Sequence, residues 1–294
     1  MKVQCDLNDY RIGPGIKVDL SEWPTNIKPL SQSKKHYRKL LAEYRAEISE
    51  LQGILYAHNR YAMLLIFQGM DTAGKGGAIK HVMSGVNPQG CQVFSFQEPS
   101  NEELDHDFLW RANKSLPERG RIGIFDRSYY EEVLIVRVIP KVLQRQRLPA
   151  EFVHPETIWK QRYRDIVNLE DYLHRNGTRI IKFFLHLSKE EQRHRLLARI
   201  DTAAKNWKLS RADIEIRRLW DKFQSAYEDC LSATSSEFAP WYAVPADEKR
   251  NARLIVSQII VDTMKTLRMD YPVADKRHLK ELKQIKRMLE KEGK

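Results

Sequence analysis

Cysteine is scarce in this chain. Cys5, Cys91 and Cys230 are too few and too scattered for a disulfide framework or a cysteine-rich metal site, and read as isolated thiols in a reducing compartment. Long apolar runs are also missing. No stretch approaches a membrane span, and Met1-Lys2-Val3-Gln4-Cys5-Asp6 has no apolar signal-peptide region, so a cytoplasmic location without a membrane partner is expected. His36, His81 and His106 show no metal-ligand spacing, and neither a GxSxG elbow nor an HExxH helix is present, which excludes hydrolase chemistry by those routes. No internal repeat or low-complexity segment stands out.

Charge is plentiful. With 30% charged residues, a mean hydropathy of −0.57 and an apolar share of 42%, the chain has enough apolar residues for one sizeable core with helical additions. Its formal net charge of +11 predicts attraction to polyanions: nucleic acid, an anionic membrane or a polymeric phosphate.

The most informative stretch is Met63-Leu64-Leu65-Ile66-Phe67-Gln68-Gly69-Met70-Asp71-Thr72-Ala73-Gly74-Lys75-Gly76-Gly77, an apolar run that empties into a glycine-rich loop. It reads as a buried strand feeding a phosphate-binding loop. Gly69 and Gly74 permit backbone conformations closed to other residues, and Gly76 and Gly77 let main-chain N–H groups approach a ligand. The helix that should follow, from Ala78 to Met83, turns its positive end towards phosphate. The spacing fits GxxxxGK, but the Ser or Thr that normally follows the lysine and holds magnesium is replaced by Gly76. The bland alternative is a glycine-rich turn with a chance lysine; the preceding strand argues against it.

In chain order, residues 1–30 are rich in turn formers and suggest an extended surface arm. Ser33 to His58 has helical spacing of Tyr37, Leu40, Leu41, Tyr44, Ile48, Leu51 and Leu55, predicting an amphipathic helix packed on the core or on another subunit. A second strand is expected over Gln92–Phe96, then a helix capped by Ser100 with Glu103 and running past Trp110. Arg121–Ser128 contains a short strand stopping at Asp126. Tyr129–Val138 should be helical, followed by a long helix from Pro155 to a Gly177 cap, a strand over Arg179–Leu187, and a helix opened by Ser188 and Glu191 that carries Arg193, Arg195 and Arg199. Residues 201–209 have no clean period and suggest a basic lid loop. A last strand over Trp241–Val244, a helix over Glu248–Arg268 and a basic amphipathic terminal helix with Leu279, Leu282, Ile285 and Leu289 complete the chain. Strands alternating with helices imply an α/β fold with a parallel sheet, ligands binding beyond the carboxyl ends of its strands.

A phosphoryl-transfer site must position phosphates, neutralise the transferring group and hold metal. The loop around Gly69, Ala73, Gly74, Gly76 and Gly77, with Lys75, would cradle phosphates. With no hydroxyl at position 76, Asp71 and Asp126 are the natural oxygen ligands for Mg2+, with Mn2+ as the alternative cation. A carboxylate inside a phosphate cradle would repel its ligand unless metal lay between them. Asp126 could instead cap the next helix, a task open to Ser128 too. Arg127 could stabilise developing charge, though surface pairing is the default for a lone arginine. Arg137, Arg193, Arg199, Lys205 and Lys208 could together line a positive channel.

The motifs GMDTAGKGG at 69–77, IGIFDRSYYEEVLIVRV at 122–138 and RIDTAAKNWKLS at 199–210 resemble the polyphosphate kinase 2 family, over residues from about 30 to 270. The resemblance implies a P-loop three-layer sandwich, thymidylate-kinase-like, with a helical lid at about 199–220 inside a core of 59–270, an arm and helix at 1–58 and a basic helix at 271–294. It implies transfer of a phosphoryl group between inorganic polyphosphate and AMP or ADP, giving ADP or ATP. Asp71 and Asp126 would hold magnesium, Lys75 and Arg127 would contact the transferring phosphates, and the basic residues of 193–208 would guide the polymer. Family members restricted to diphosphates tend to carry Asn where this chain has Glu131. Glu131 is therefore expected to help admit a monophosphate, through the adenine or its neighbouring groups. The resemblance also implies a homodimer or homotetramer. Thr202-Ala203-Ala204 departs from the more acidic, proline-containing turn expected in the lid. Two other readings compete: an ATP-dependent nucleoside monophosphate kinase, disfavoured by Gly76, and a nucleic-acid-binding P-loop protein, disfavoured by the lack of an aromatic-and-basic binding signature.

Overall fold

A computed structural model describes residues 5–207 and 209–292. Six strands form one sheet: β1 (Arg11–Ile12), β2 (Ala62–Gln68), β3 (Cys91–Ser95), β4 (Ile122–Asp126), β5 (Thr178–His186) and β6 (Trp241–Pro245). Their spatial order is β1-β6-β5-β2-β4-β3, and every neighbouring pair is parallel except β1 with β6.

All seven residues of β2 are buried, because the strand is flanked on both edges and covered on both faces. Met63, Leu65 and Phe67 point into one apolar cluster, and Leu64 and Ile66 into the other, following the two-residue period of a strand. The first cluster is closed by α1 (Lys34–His58), α2 (Lys75–Val82) and α7 (Lys249–Thr266). The second is closed by α3 (Ile158–Arg175) and α6 (Trp220–Thr234). Between them in sequence lie α4 (Lys189–Ile200) and α5 (Arg211–Arg218), and α8 (Lys276–Glu292) ends the described chain. Each large apolar side chain removed from water contributes about 1.5–3 kcal/mol, so the two faces of β2 anchor the fold.

Local signals account for the helix ends. The Ser33 side chain accepts from the His36 N–H at 3.1 Å to open α1, and Asn59 closes it in the left-handed conformation. Gly177, at φ +90°, follows the end of α3 and donates to the His174 carbonyl at 3.0 Å.

Several elements differ from their expected form. The amino-terminal arm adds β1 to the sheet edge, with Ile12 wholly buried. The helix after Ser100 stops at Leu104 and resumes as a second turn over Trp110–Asn113. Tyr129–Val133 is a 3-10 turn, and only Ile135–Val138 is α-helical. The lid loop contains one helical turn, Ala203–Asn206. Lys208 lies outside the described residues. Among the described residues no helix is long and apolar enough to cross a membrane.

The strand order places the carboxyl ends of β2, β4 and β5 side by side, with Phe67 registered against Asp126 on one side and Phe183 on the other. The chain leaves β2 towards one edge and later fills the other, so a crevice opens at this point of the sheet.

Candidate active site

The glycine loop begins where β2 ends. Gly69 takes φ +147°, and a Cβ there would stand 2.8 Å from the Leu185 carbonyl oxygen, so no side chain fits. Gly74 takes φ +107° and hands the chain to α2, whose first residue is Lys75. Thr72 and Arg127 also have positive φ, 65° and 64°, a conformation that costs non-glycine residues free energy. Tertiary contacts hold both: the Thr72 carbonyl accepts from Arg195 Nη1 at 3.0 Å, and the Arg127 N–H donates to the Phe67 carbonyl at 3.1 Å.

Lys75 is buried, and its Nζ donates to the Gly69 carbonyl at 2.7 Å. Burial pushes its ammonium below the ordinary lysine range; Asp71 and Asp126 oppose that shift and Arg127 adds to it. Arg127 Nη2 donates to Asp71 Oδ1 at 3.1 Å, tying the turn after β4 to the loop after β2. Burial works against the Arg127 charge, but Glu131, Asp71 and Asp126 more than offset it and keep the guanidinium protonated.

Gly76 explains itself against Asp126. A Cβ at position 76 would lie 3.4 Å from Asp126 Oδ2, so the carboxylate occupies the ground that a P-loop hydroxyl would face. Asp126 is not the cap of the following turn: Ser128 is, accepting from the Tyr130 N–H at 3.1 Å. Asp126 is therefore left with its carboxylate towards the amino end of α2. Two carboxylates, both close enough to bias Lys75 and Arg127, suit a hard cation that takes its remaining oxygens from water and phosphate. No cluster of three or more metal-ligating side chains occurs among the described residues.

A cleft of about 410 Å³ opens beside this charged cluster, lined by the glycine loop, the segment after β3, the turns after β4 and, from α5 and α6, Ile216, Phe223 and Tyr227. Asp71, Arg127 and Glu131 are among its polar lining residues, and Phe96, Ile135 and Ile216 among its apolar ones. Glu131 is half-buried, and that burial raises its carboxyl above the ordinary range despite the opposing Arg127 and Lys75 charges. Its neighbour Glu132 is buried in the wall, where Arg111 Nη2 donates to Oε1 at 3.4 Å and Gln146 Nε2 to Oε2 at 2.5 Å.

The remaining expected phosphate ligands are dispersed. Arg137 donates to the Tyr163 hydroxyl at 2.7 Å and pairs with Asp229. Arg193 is held by Glu190 on an exposed face of α4, Arg199 is half-buried near the end of that helix, and Lys205 is exposed on the lid turn. The arginine of α4 that reaches the loop is Arg195. Its Nη1 donates to the carbonyls of Thr72 and Ala73, both at 3.0 Å, and its Nη2 to those of Ala246 and Asp247 at 2.6 and 2.9 Å. Gln192, one turn earlier, donates to the Asp71 carbonyl at 3.0 Å. The legible signal was helical phase: Gln192, Arg195 and Leu196 form the buried face of α4, whereas Arg193 points away.

The chain matches the family model described as polyphosphate kinase 2 over residues 31–272. It is 60% identical over 289 residues to an ADP-polyphosphate phosphotransferase of Rhodopseudomonas palustris, covering 98% of this chain and 99% of that one. It is 40% identical over 267 residues to an AMP/ADP-polyphosphate phosphotransferase of Meiothermus ruber, covering 90% and 96%. Its structure resembles the crystal structure of polyphosphate kinase 2 from Arthrobacter aurescens TC1 with a TM-score of 0.86 at 38% identity, covering 97% and 98% of the two chains.

Proposed function

The chain belongs to the polyphosphate kinase 2 family, and from that premise we propose that it transfers a phosphoryl group between inorganic polyphosphate and AMP or ADP. The observation that carries the site assignment is the Arg127–Asp71 pair, which joins the loop after β2 to the turn after β4 around Lys75. We read the sheet and loop as a P-loop sandwich of the thymidylate-kinase kind, with residues 199–220 as its lid.

In the synthetic direction an oxygen of the nucleotide's last phosphate attacks the terminal phosphorus of the polymer. The P–O bond to the next unit breaks, and its electrons leave with the shortened chain. The loop amides and Lys75 hold the donor phosphates, while Arg127 faces the charge on the transferring group. Asp71 and Asp126 would hold magnesium, which when bound supplies charge neutralisation between donor and acceptor. Arg195 and Gln192 brace the loop carbonyls, keeping its amides aimed outward. The apolar part of the cleft takes the nucleoside. Glu131, which lines the cleft together with Arg127, would when ionised supply negative charge where AMP is one phosphate shorter than ADP.

The test is one assay matrix: AMP, ADP, GMP and GDP, each with polyphosphate and magnesium, for wild type and Lys75→Ala. ADP and ATP should form from the adenine nucleotides, and Lys75→Ala should lower the rate by about 10²–10³-fold. Absence of every nucleotide product would refute the proposal.

A further inference from the structure

The helix α8 stands apart from the chemistry described so far. Every residue of Lys276–Glu292 is exposed, so the body of the protein does not bury either face. The helix carries seven cations against Glu281, Glu290 and Glu292, and five of the cations gather on one side, with Arg277 and Lys286 outside that arc. Lys276, Lys280, Lys283, Arg287 and Lys291 recur at intervals of four, three, four and four residues, which places them within an arc of roughly 80° along roughly 22 Å of helix. Leu282, Ile285, Met288 and Leu289 occupy the opposite side. Among the described residues none of the five stripe cations has an acidic partner within ion-pair distance; Glu290, at the stripe's edge, is paired with Lys286.

Such a row is unfavourable by itself. Like charges three and four residues apart repel along a helix, and no acid among the described residues pairs with them. A linear polyanion lying along the stripe would remove that repulsion, and its repeating charges match a row better than a single anion does. The stripe is also remote from the glycine loop. α7 starts just after β6 at the catalytic edge and runs for 18 residues, about 27 Å, to the other edge of the sheet. There the Asp270 carbonyl meets His58 Nδ1 at 3.2 Å, at the end of α1, and α8 begins six residues later.

We propose that the cationic stripe of α8 is a second anchoring site for polyphosphate, outside the active site, which tethers long chains while their ends react. The proposal rests on polyphosphate being the substrate. Its signature is dependence on chain length: a polymer able to span from the catalytic edge to α8 gains from both sites, and an oligomer too short to span gains nothing.

The experiment compares the full-length protein with a variant carrying K276Q, K280Q, K283Q, R287Q and K291Q, which keeps good helix formers and removes the stripe. With polyphosphate of several hundred units at low salt, KM should rise about fivefold or more while kcat is unchanged. With a linear oligophosphate of about six units, KM should not move. Hydrogen exchange of the 276–291 amides in wild type should slow on adding long polyphosphate alone. An unchanged KM for the long chain would overturn the proposal. So would an equal rise for both lengths, or protection of α8 by RNA but not by polyphosphate. If wild type turns over no polyphosphate of any length, the functional assignment falls, and the exchange measurement still decides whether α8 binds the polymer.

Discussion

Lys182 Nζ lies 2.6 Å from Glu170 Oε2, and neither side chain has any exposed surface. The ammonium is fully used: it also donates to the Tyr130 hydroxyl at 2.9 Å and the Thr234 carbonyl at 2.7 Å. The other carboxylate oxygen of Glu170 accepts from the hydroxyls of Tyr129 and Tyr130 at 2.8 and 2.7 Å. These two tyrosines sit between Arg127 and Glu131, so the buried pair fixes the segment that carries both. Removing one member strands a charge in the core, whereas removing both charges does not. Lys182→Met should therefore destabilise the protein by about 3–5 kcal/mol in guanidinium titrations. Adding Glu170→Gln, which leaves an acceptor for the tyrosines, should recover at least about 1 kcal/mol. Strict additivity of the two losses would show that the charges do not act as a pair.

Arg195 has its guanidinium spread over four carbonyls of two loops, and Nε donates to Glu191 Oε1 at 2.7 Å. A lysine offers one compact charge and cannot bridge them. Arg195→Lys should lower kcat/KM by about 10²-fold, the scale of a misplaced phosphate cradle, in protein that keeps its near-ultraviolet circular dichroism. Wild-type activity in that variant would remove Arg195 from any role in shaping the loop.

The contrast between Arg195 and Lys75 shows what was legible in the sequence. Lys75 was found from local pattern, an apolar strand followed by glycines at fixed spacing, because its partners lie within six residues. Arg195 acts on carbonyls between 51 and 123 residues away, and only its phase on α4 hints at burial. The same reason explains the 3-10 turn at Tyr129–Val133. Its composition suits a helix, but both tyrosine hydroxyls are drawn to Glu170, a contact no local window contains. The Ser100–Glu103 capping box that the spacing marks is formed, yet the helix it opens lasts four residues. Asp107 starts a new turn by accepting from the Leu109 N–H at 2.9 Å. β1 was invisible because two residues carry no period; its place is set by pairing with β6.

Glu131 joins stability to specificity. Burial is the largest influence on its carboxyl, and it holds the group above the ordinary value of 4.5 although Arg127 and Lys75 pull the other way. A folded-state value above the unfolded one means that the protonated form favours the fold. That contribution is present below the unfolded value and is lost as pH rises through the folded value. In its ionised form Glu131 is thus a cost to the fold, as expected of a charge kept for a ligand. Glu131→Gln should raise the melting temperature at pH 7, and the gain should shrink as pH falls towards 4.5. In the acceptor assay the charge should matter more to the shorter nucleotide. Glu131→Asn should lower kcat/KM for AMP by about tenfold or more and for ADP by much less, with the acid limb of the AMP profile lost in the variant. Equal losses with both nucleotides, together with an unchanged melting temperature, would make Glu131 a wall of the cleft and not a reader of phosphate number.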